Sequence, residues 1–262
     1  MLDILLIRAL IAMVLIAVVS ATIGSFSVFR GSTFFVSGIA HGALAGASLG
    51  IFISLNFFGV DPLLIALLFS VFFAVIIGYA SHRSENVDIA IGVMFAFSMS
   101  IAVLFLSMIR EYASVAWGLI IGDVLLLTAS DMILLSVSVV TVVILFFVFY
   151  RRLLFVIFDP ESAEALGLHV LRYETLLFVL IAVGVVALLK CVGAILVYAL
   201  LIVPAASSRR LFGSVEGTIA GAFIISLISG LGGVYLSIYL NVAPSALAGL
   251  IAAIIYSISL FR

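Results

Sequence analysis

The chain has 262 residues, 67% of them hydrophobic and 9% charged, with a net charge of −1 and a mean hydropathy of +1.54. A soluble domain carries roughly a quarter charged residues, so these figures exclude a water-soluble globule, and no basic excess points to nucleic acid. The single cysteine, Cys191, excludes an internal disulfide framework and a multi-cysteine metal site.

Nine apolar runs follow one another at the length a helix needs to cross a bilayer, over residues 4–28, 33–56, 62–80, 89–109, 125–150, 173–189, 192–207, 217–240 and 244–261. Lipid offers no partner to free backbone groups, so each is expected to be helical. The expected fold is all-α: a polytopic transmembrane bundle of eight or nine spans, forming one membrane domain over residues 1–262. The first run is too long for a signal h-region and more spans follow it, so it reads as a retained span. Basic residues set the orientation. With the loop 151–172 in the cytoplasm, Arg30, Arg83, Arg151, Arg152, Arg172, Arg209, Arg210 and Arg262 share that side, and only Arg8, Arg110 and Lys190 lie towards the other. Nine crossings put the N-terminus outside. A re-entrant seventh segment reduces the count to eight and moves it inside.

The second span carries the first candidate site. Gly38, Gly42, Gly46 and Gly50 recur every fourth residue, a stripe that lets helices approach closely. About 100° around the helix, Thr33, Ser37, His41, Ala45 and Ser48 share a small, polar face. An imidazole at membrane depth is costly in lipid and belongs in a bundle interior or a water-filled path. Neutral imidazole is a good ligand for borderline divalent metals such as zinc. Two readings of His41 stand: a ligand on a metal path, or a structural histidine bonded across the helix interface. Asp123 and Asp131 are the acidic groups nearest membrane depth, and each reads as an interfacial cap or as part of a polar path.

The loop 159–167 reads as a short helix. Asp159 suits the N-cap, Pro160 the first turn, Glu161 and Glu164 the positive helix end, and Gly167 the stop. So short a helix needs anchoring by its flanking spans or by a partner. It is either a handle for a soluble partner or an ordinary connector. Further on, Pro204 removes a ladder hydrogen bond and clashes with the carbonyl of Leu200, so the helix must bend or break there. Such breaks line cavities in many transporters, and they also occur as packing kinks.

In these same places the chain resembles the metal permease family of ABC importers, which serves zinc, manganese and iron. The stretch from Val36 through His41 to Gly46 is similar to that family's Gly-Asp-X-X-Ser-His-Ala-X-X-X-Gly pattern. Gly122 and Asp123 match its Phe-Gly-Asp-type stretch, and Asp159, Pro160, Glu161, Ala163 and Gly167 its Asp-Pro-Glu loop. Val192, Gly193, Leu196, Ala199, Leu200, Leu201, Pro204, Ala205 and Ala206 match the segment that ends in Pro-Ala-Ala.

The resemblance implies a type II ABC-importer-like permease: a homodimer with its pathway along the interface, in the plasma membrane of a prokaryote. Two copies of a separate ATP-binding subunit would sit on the cytoplasmic face, and an extracellular or periplasmic binding protein would deliver the metal. His41, with Ser37 beside it, maps to the metal path. Asp159, Pro160, Glu161, Ala163 and Gly167 map to the coupling helix, Gly193 and Pro204 to a broken pathway helix, and Asp123 to a possible polar path. Ser37 stands where the family has an acid, which removes a carboxylate from a hard-ion site.

The implied function is import of a divalent metal by alternating access, zinc first, with manganese or iron as alternatives. The chain binds no cofactor and is not an enzyme: it has no P-loop, and its only lysine is Lys190, so ATP belongs to the partner subunit. A secondary transporter would need intramembrane carboxylates, and a siderophore- or vitamin-type permease is longer and has no use for His41.

Overall fold

The computed structural model describes residues 2–82, 87–109 and 112–261; Arg83, Arg110 and Arg262, used above for orientation, lie outside them. The described residues form twelve α-helices with one π-turn and one 3₁₀-turn, and no strand. Helix α1 (Leu2–Val19) passes through a π-turn (Ser20–Gly24) into α2 (Ser25–Arg30). Then come α3 (Thr33–Asn56), α4 (Pro62–His82), α5 (Val87–Ser107) and the short α6 (Tyr112–Ile121), followed by a 3₁₀-turn (Val124–Leu126). Helices α7 (Ala129–Phe158), α8 (Pro160–Ala165), α9 (Val170–Leu201), α10 (Val203–Leu211), α11 (Val215–Leu240) and α12 (Pro244–Ser259) complete the chain.

Among the described residues, seven helical runs are long and apolar enough to cross a membrane, and α12 is a shorter apolar helix. One of the seven, Val170–Leu211, holds the expected sixth and seventh segments together. It is not a straight rod. In its first arm Glu174 pairs with Arg30 and Gly184 lies against Val19 and Ile23, so this arm runs antiparallel to the first helix. Beyond Gly193, Leu201 accepts the Ser20 hydroxyl and Arg209 donates to the Val28 carbonyl, so the second arm runs parallel to it. The chain turns back on itself at Gly193, whose φ of 76° and ψ of 161° interrupt the helix. Counting each arm and α12, the described residues hold nine apolar segments. The sequence expectation lacked only the short α6, which leads into the turn at Asp123.

Helices α3 and α9 form the centre. Lipid-like surroundings give no hydrophobic force between helices, so close packing must hold them. The glycine stripe provides it. Gly42 lies under the Phe73 ring, and Gly46 and Gly50 bring α3 onto the α4 backbone, where a Cβ would sit 2.7 Å from Ala66 Cα and 2.8 Å from Pro62 Cα. The other helix of this group, α5, turns Ile89, Val93 and Phe97 outward, and α7 turns out Ile144, Phe147 and Val148.

Candidate functional site

The predicted residues fall into three separate places. His41 and Ser37 lie together on α3. Asp159, Pro160, Glu161, Ala163 and Gly167 form the loop helix. Gly122, with Asp123 next to it in the chain, meets Gly193 at the reversal of α9, and Pro204 lies further along the second arm.

His41 is half-buried, its ring centroid 4.3 Å from that of Phe95 on α5. Its Nδ1 lies 2.8 Å from the Ser37 carbonyl oxygen, one helical turn back. A carbonyl only accepts, so Nδ1 carries the hydrogen, and in the neutral ring the Nε2 lone pair remains for a ligand. This tether also fixes the ring's orientation, as the hydrogen-bond partners of metal-bound histidines do. Ser37 contributes its backbone oxygen here, whereas the Ser48 hydroxyl folds back onto the Leu44 carbonyl at 2.7 Å. Among the described residues no three His, Cys, Asp or Glu side chains gather in a metal-binding group. One chain therefore offers a single imidazole, not a closed cage of the structural zinc kind.

The loop helix α8 is built from the expected local signals. Asp159 Oδ1 accepts the Ser162 N–H at 3.0 Å, and Pro160 occupies the first turn. Gly167, at φ 82°, donates to Glu164, and Leu168 donates to Ala163, closing the C-terminal end. Ala163 is the anchor: it is fully buried against Val156 of α7 and Val170 of α9. Glu161 and Glu164 are exposed, and Leu166 is 75% exposed. A large apolar side chain is thus held out beside two carboxylates on a capped turn.

Hydrogen bonds from Ser162 hold the Asp159 carboxyl below the usual carboxylate range. A depressed folded pKa stabilises the capped state above the unfolded pKa, and this contribution is lost as pH falls through the folded pKa. Asp159→Ala is expected to lower amide-exchange protection at Ser162 and Ala163 about fivefold at neutral pH, and Asp159→Asn far less, because asparagine also caps. Wild-type protection should converge on the Asp159→Ala value in acid, after correction for intrinsic exchange rates. Equal protection in wild type and Asp159→Ala at neutral pH would refute the cap.

Asp123 caps the 3₁₀-turn, with Oδ1 accepting the Leu125 N–H at 2.9 Å. Asp131 completes a capping box with Thr128 and pairs with Lys190 at 2.7 Å. Both acids therefore act as caps. Beyond Gly193 the helix is interrupted again at Ile202, and α10 restarts with Pro204 in its first turn. The Leu201 carbonyl beside this second break is satisfied by the Ser20 hydroxyl at 3.0 Å, from the π-turn of the first helix.

Sequence reasoning missed Glu174, which is 8% exposed and joined to Arg30 by Nη2 at 2.6 Å and Nε at 2.9 Å. The available signal was an acid just inside an apolar run with an arginine ending another span.

The model of the ABC 3 transport family matches residues 2–262. The manganese transport system membrane protein MntC of Listeria innocua is 32% identical over 253 residues, covering 96% of this chain and 88% of that protein. The high-affinity zinc uptake system membrane protein ZnuB of Haemophilus influenzae is 27% identical over 255 residues, covering 97% and 96%. The solved structure of PsaBC from Streptococcus pneumoniae in complex with Fab superposes with a TM-score of 0.84 at 26% identity, covering 96% of this chain and 89% of that one. On this evidence of motif, fold and full-length similarity, the chain belongs to the ABC 3 transport family, the metal permeases of ABC importers.

Proposed function

We propose that the chain is the permease subunit of an ATP-driven importer for a divalent transition metal, zinc in preference to manganese, in the plasma membrane of a prokaryote. The observation that carries this reading is the His41 imidazole, set within a span with Nδ1 tethered to Ser37 and no hydrogen-bond partner on Nε2 among the described residues. A single ligand per chain suits a transported ion, which must leave as readily as it binds. Two copies of the chain would bring two imidazoles to a shared path.

The ligand chemistry favours zinc. Imidazole suits borderline metals, while manganese prefers carboxylate oxygen, and Ser37 supplies none. The zinc uptake relative supports this choice and the manganese relatives compete with it.

ATP binds and is hydrolysed on a separate subunit, which docks on the exposed side of α8. The Asp159 cap and the buried Ala163 make α8 stiff enough to pass a push to α7 and α9. The break ahead of Pro204 lets the second arm of α9 and α10 tilt about the fixed reversal at Gly193, so the path opens to one side and then the other. Asp123, at the reversal, stands where a metal handed over by an extracellular binding protein would enter.

The test is metal uptake into cells lacking high-affinity import, with the candidate ATPase and binding protein co-expressed. Radioactive zinc is expected to accumulate faster than manganese. His41→Ala and Glu161→Ala should each reduce uptake at least tenfold, by roughly 1.4 kcal/mol of lost transition-state or coupling energy, while the complex still assembles. Uptake undiminished by His41→Ala would end the role of the histidine, and faster manganese uptake would reverse the choice of metal.

A further inference from the structure

Where the last turns of α7 meet the first turns of α9, a groove of about 510 Å³ opens to the surface. Its floor is apolar, made by Phe149, Leu168 and Leu176, with the Tyr173 ring 6.3 Å from Phe149. Two arginines give its rim a positive charge. Arg172 and His169 line it, and Arg152 reaches over to donate to the Tyr173 hydroxyl at 3.3 Å. Among the described residues Arg172 and Arg152 form no ion pair. The acids nearby are accounted for. Glu174 is committed to Arg30, and Glu164 lines an adjoining groove that shares Arg172 and His169 with this one but forms no ion pair with Arg172 among the described residues.

Depth identifies what this groove faces. Asp131 and Lys190 mark one end of α7, and Arg152 lies 21 residues further along, about 30 Å at 1.5 Å per residue. That is the thickness of the hydrocarbon core, so Arg152 stands at the opposite headgroup layer. Counting back from it by fours, Val148 and Ile144 continue the same helix stripe, both more than half exposed. An apolar track thus runs into the membrane directly beneath a guanidinium.

We propose that this groove binds one anionic phospholipid of the leaflet next to the 151–172 loop. Its phosphate sits between Arg152 and Arg172, and an acyl chain lies along Val148 and Ile144. Basic pockets between spans at this depth recognise anionic headgroups in this way, and a soluble anion would leave the apolar floor and track uncovered. The site wedges the two helix ends that carry α8, so an occupied groove holds the loop helix at a fixed angle. The inference needs only the membrane fold and does not depend on the transported metal.

A fluorescence experiment on the full chain reads the site directly. Trp117 is the only tryptophan, so Trp117→Phe with Phe149→Trp places a sole indole on the groove floor. The protein is reconstituted into phosphatidylcholine vesicles containing a fixed fraction of brominated phosphatidylglycerol or brominated phosphatidylcholine. The brominated anionic lipid is expected to be preferred at position 149 on the order of tenfold, as two cationic contacts imply. Adding Arg152→Gln and Arg172→Gln should bring the preference near one, and Arg152→Lys with Arg172→Lys should retain most of it. Arg210→Gln, which removes one charge elsewhere on the bundle and is compared with each single arginine change, should leave it intact. The proposal is overturned if the two lipids quench equally in the starting protein, if the preference survives loss of both arginines, or if Arg210→Gln reduces it as much. Quenching is compared only among reconstituted proteins of equal helical circular dichroism, and the lysine pair supplies the result if the glutamine pair fails to fold.

Discussion

Replacing Gly193 with alanine is expected to remove the folded permease from the membrane rather than to slow it. At φ 76° and ψ 161° the residue occupies a region open essentially to glycine alone, which costs another residue about 1–3 kcal/mol. A Cβ there would also fall on the Ile120 carbonyl oxygen and the Ile121 carbonyl carbon, and 2.6 Å from the Gly122 nitrogen. These are backbone atoms and cannot rotate away. Gly122 is itself at φ 64°, and a Cβ on it would run into Gly193 and Val192. Two chain reversals are therefore locked back to back, each needing the other to lack a side chain. Conformational strain and overlap together should cost about 4 kcal/mol or more, a large share of a typical domain's total stability. Gly92→Ala is the control, because nothing lies within 4 Å of its would-be Cβ and alanine favours a helix. Thermal unfolding in detergent, followed by size-exclusion fluorescence, should show little or no monodisperse Gly193→Ala protein and normal Gly92→Ala protein. A Gly193→Ala melting temperature within a few degrees of wild type would show that the junction yields, and the reversal would not be rigid.

The contrast between these glycines explains what the sequence could reveal. The stripe in α3 was legible because its period is helical and close packing is its ordinary consequence. The stretch 159–167 was legible because every signal in it is local: the cap, the proline and the stop act within one turn, and each is in place. His41 could be placed on its polar face, and its link to Ser37 is an i to i−4 contact that the helix period dictates. The reversal at Gly193 was less legible. The nine-span reading turns the chain between residues 189 and 192, just short of it, but a lone glycine within an apolar run does not show why the chain turns back there. The reason lies 71 residues away in sequence, at Gly122. The same holds for Glu174, which reads as a span-end acid until Arg30, 144 residues earlier, is seen against it. Local chemistry can be read along the chain, whereas contacts between distant spans cannot.

That Arg30–Glu174 pair is expected to be the second most sensitive point in the molecule. Both guanidinium contacts converge on one oxygen, Glu174 Oε1, from the C-terminal turn of α2, where a cation is already favoured by the helix dipole. The Glu174 side chain is 9% exposed and that of Arg30 29%, so the pair is only partly screened. Breaking a buried pair by removing one member costs about 3–5 kcal/mol. The exposure of Arg30, and its further contact within the fold, reduce the expectation for Glu174→Ala to about 2 kcal/mol. Glu174→Gln keeps an acceptor and should lose about half as much. Position makes the loss functional as well as structural. Glu174 lies one turn beyond Val170, which grips Ala163 of α8, so the pair ties the loop helix to the end of the first span. Glu174→Ala should therefore leave metal binding to the complex unchanged while reducing the uptake gained per ATP hydrolysed several-fold. The decisive measurement is a double-mutant cycle of Glu174→Ala and Arg30→Met on thermal unfolding, run alongside the ratio of metal imported to ATP consumed. Coupling below about 0.5 kcal/mol would mark the pair as energetically idle. Strong coupling with an unchanged transport ratio would make it a structural clasp with no part in transmission.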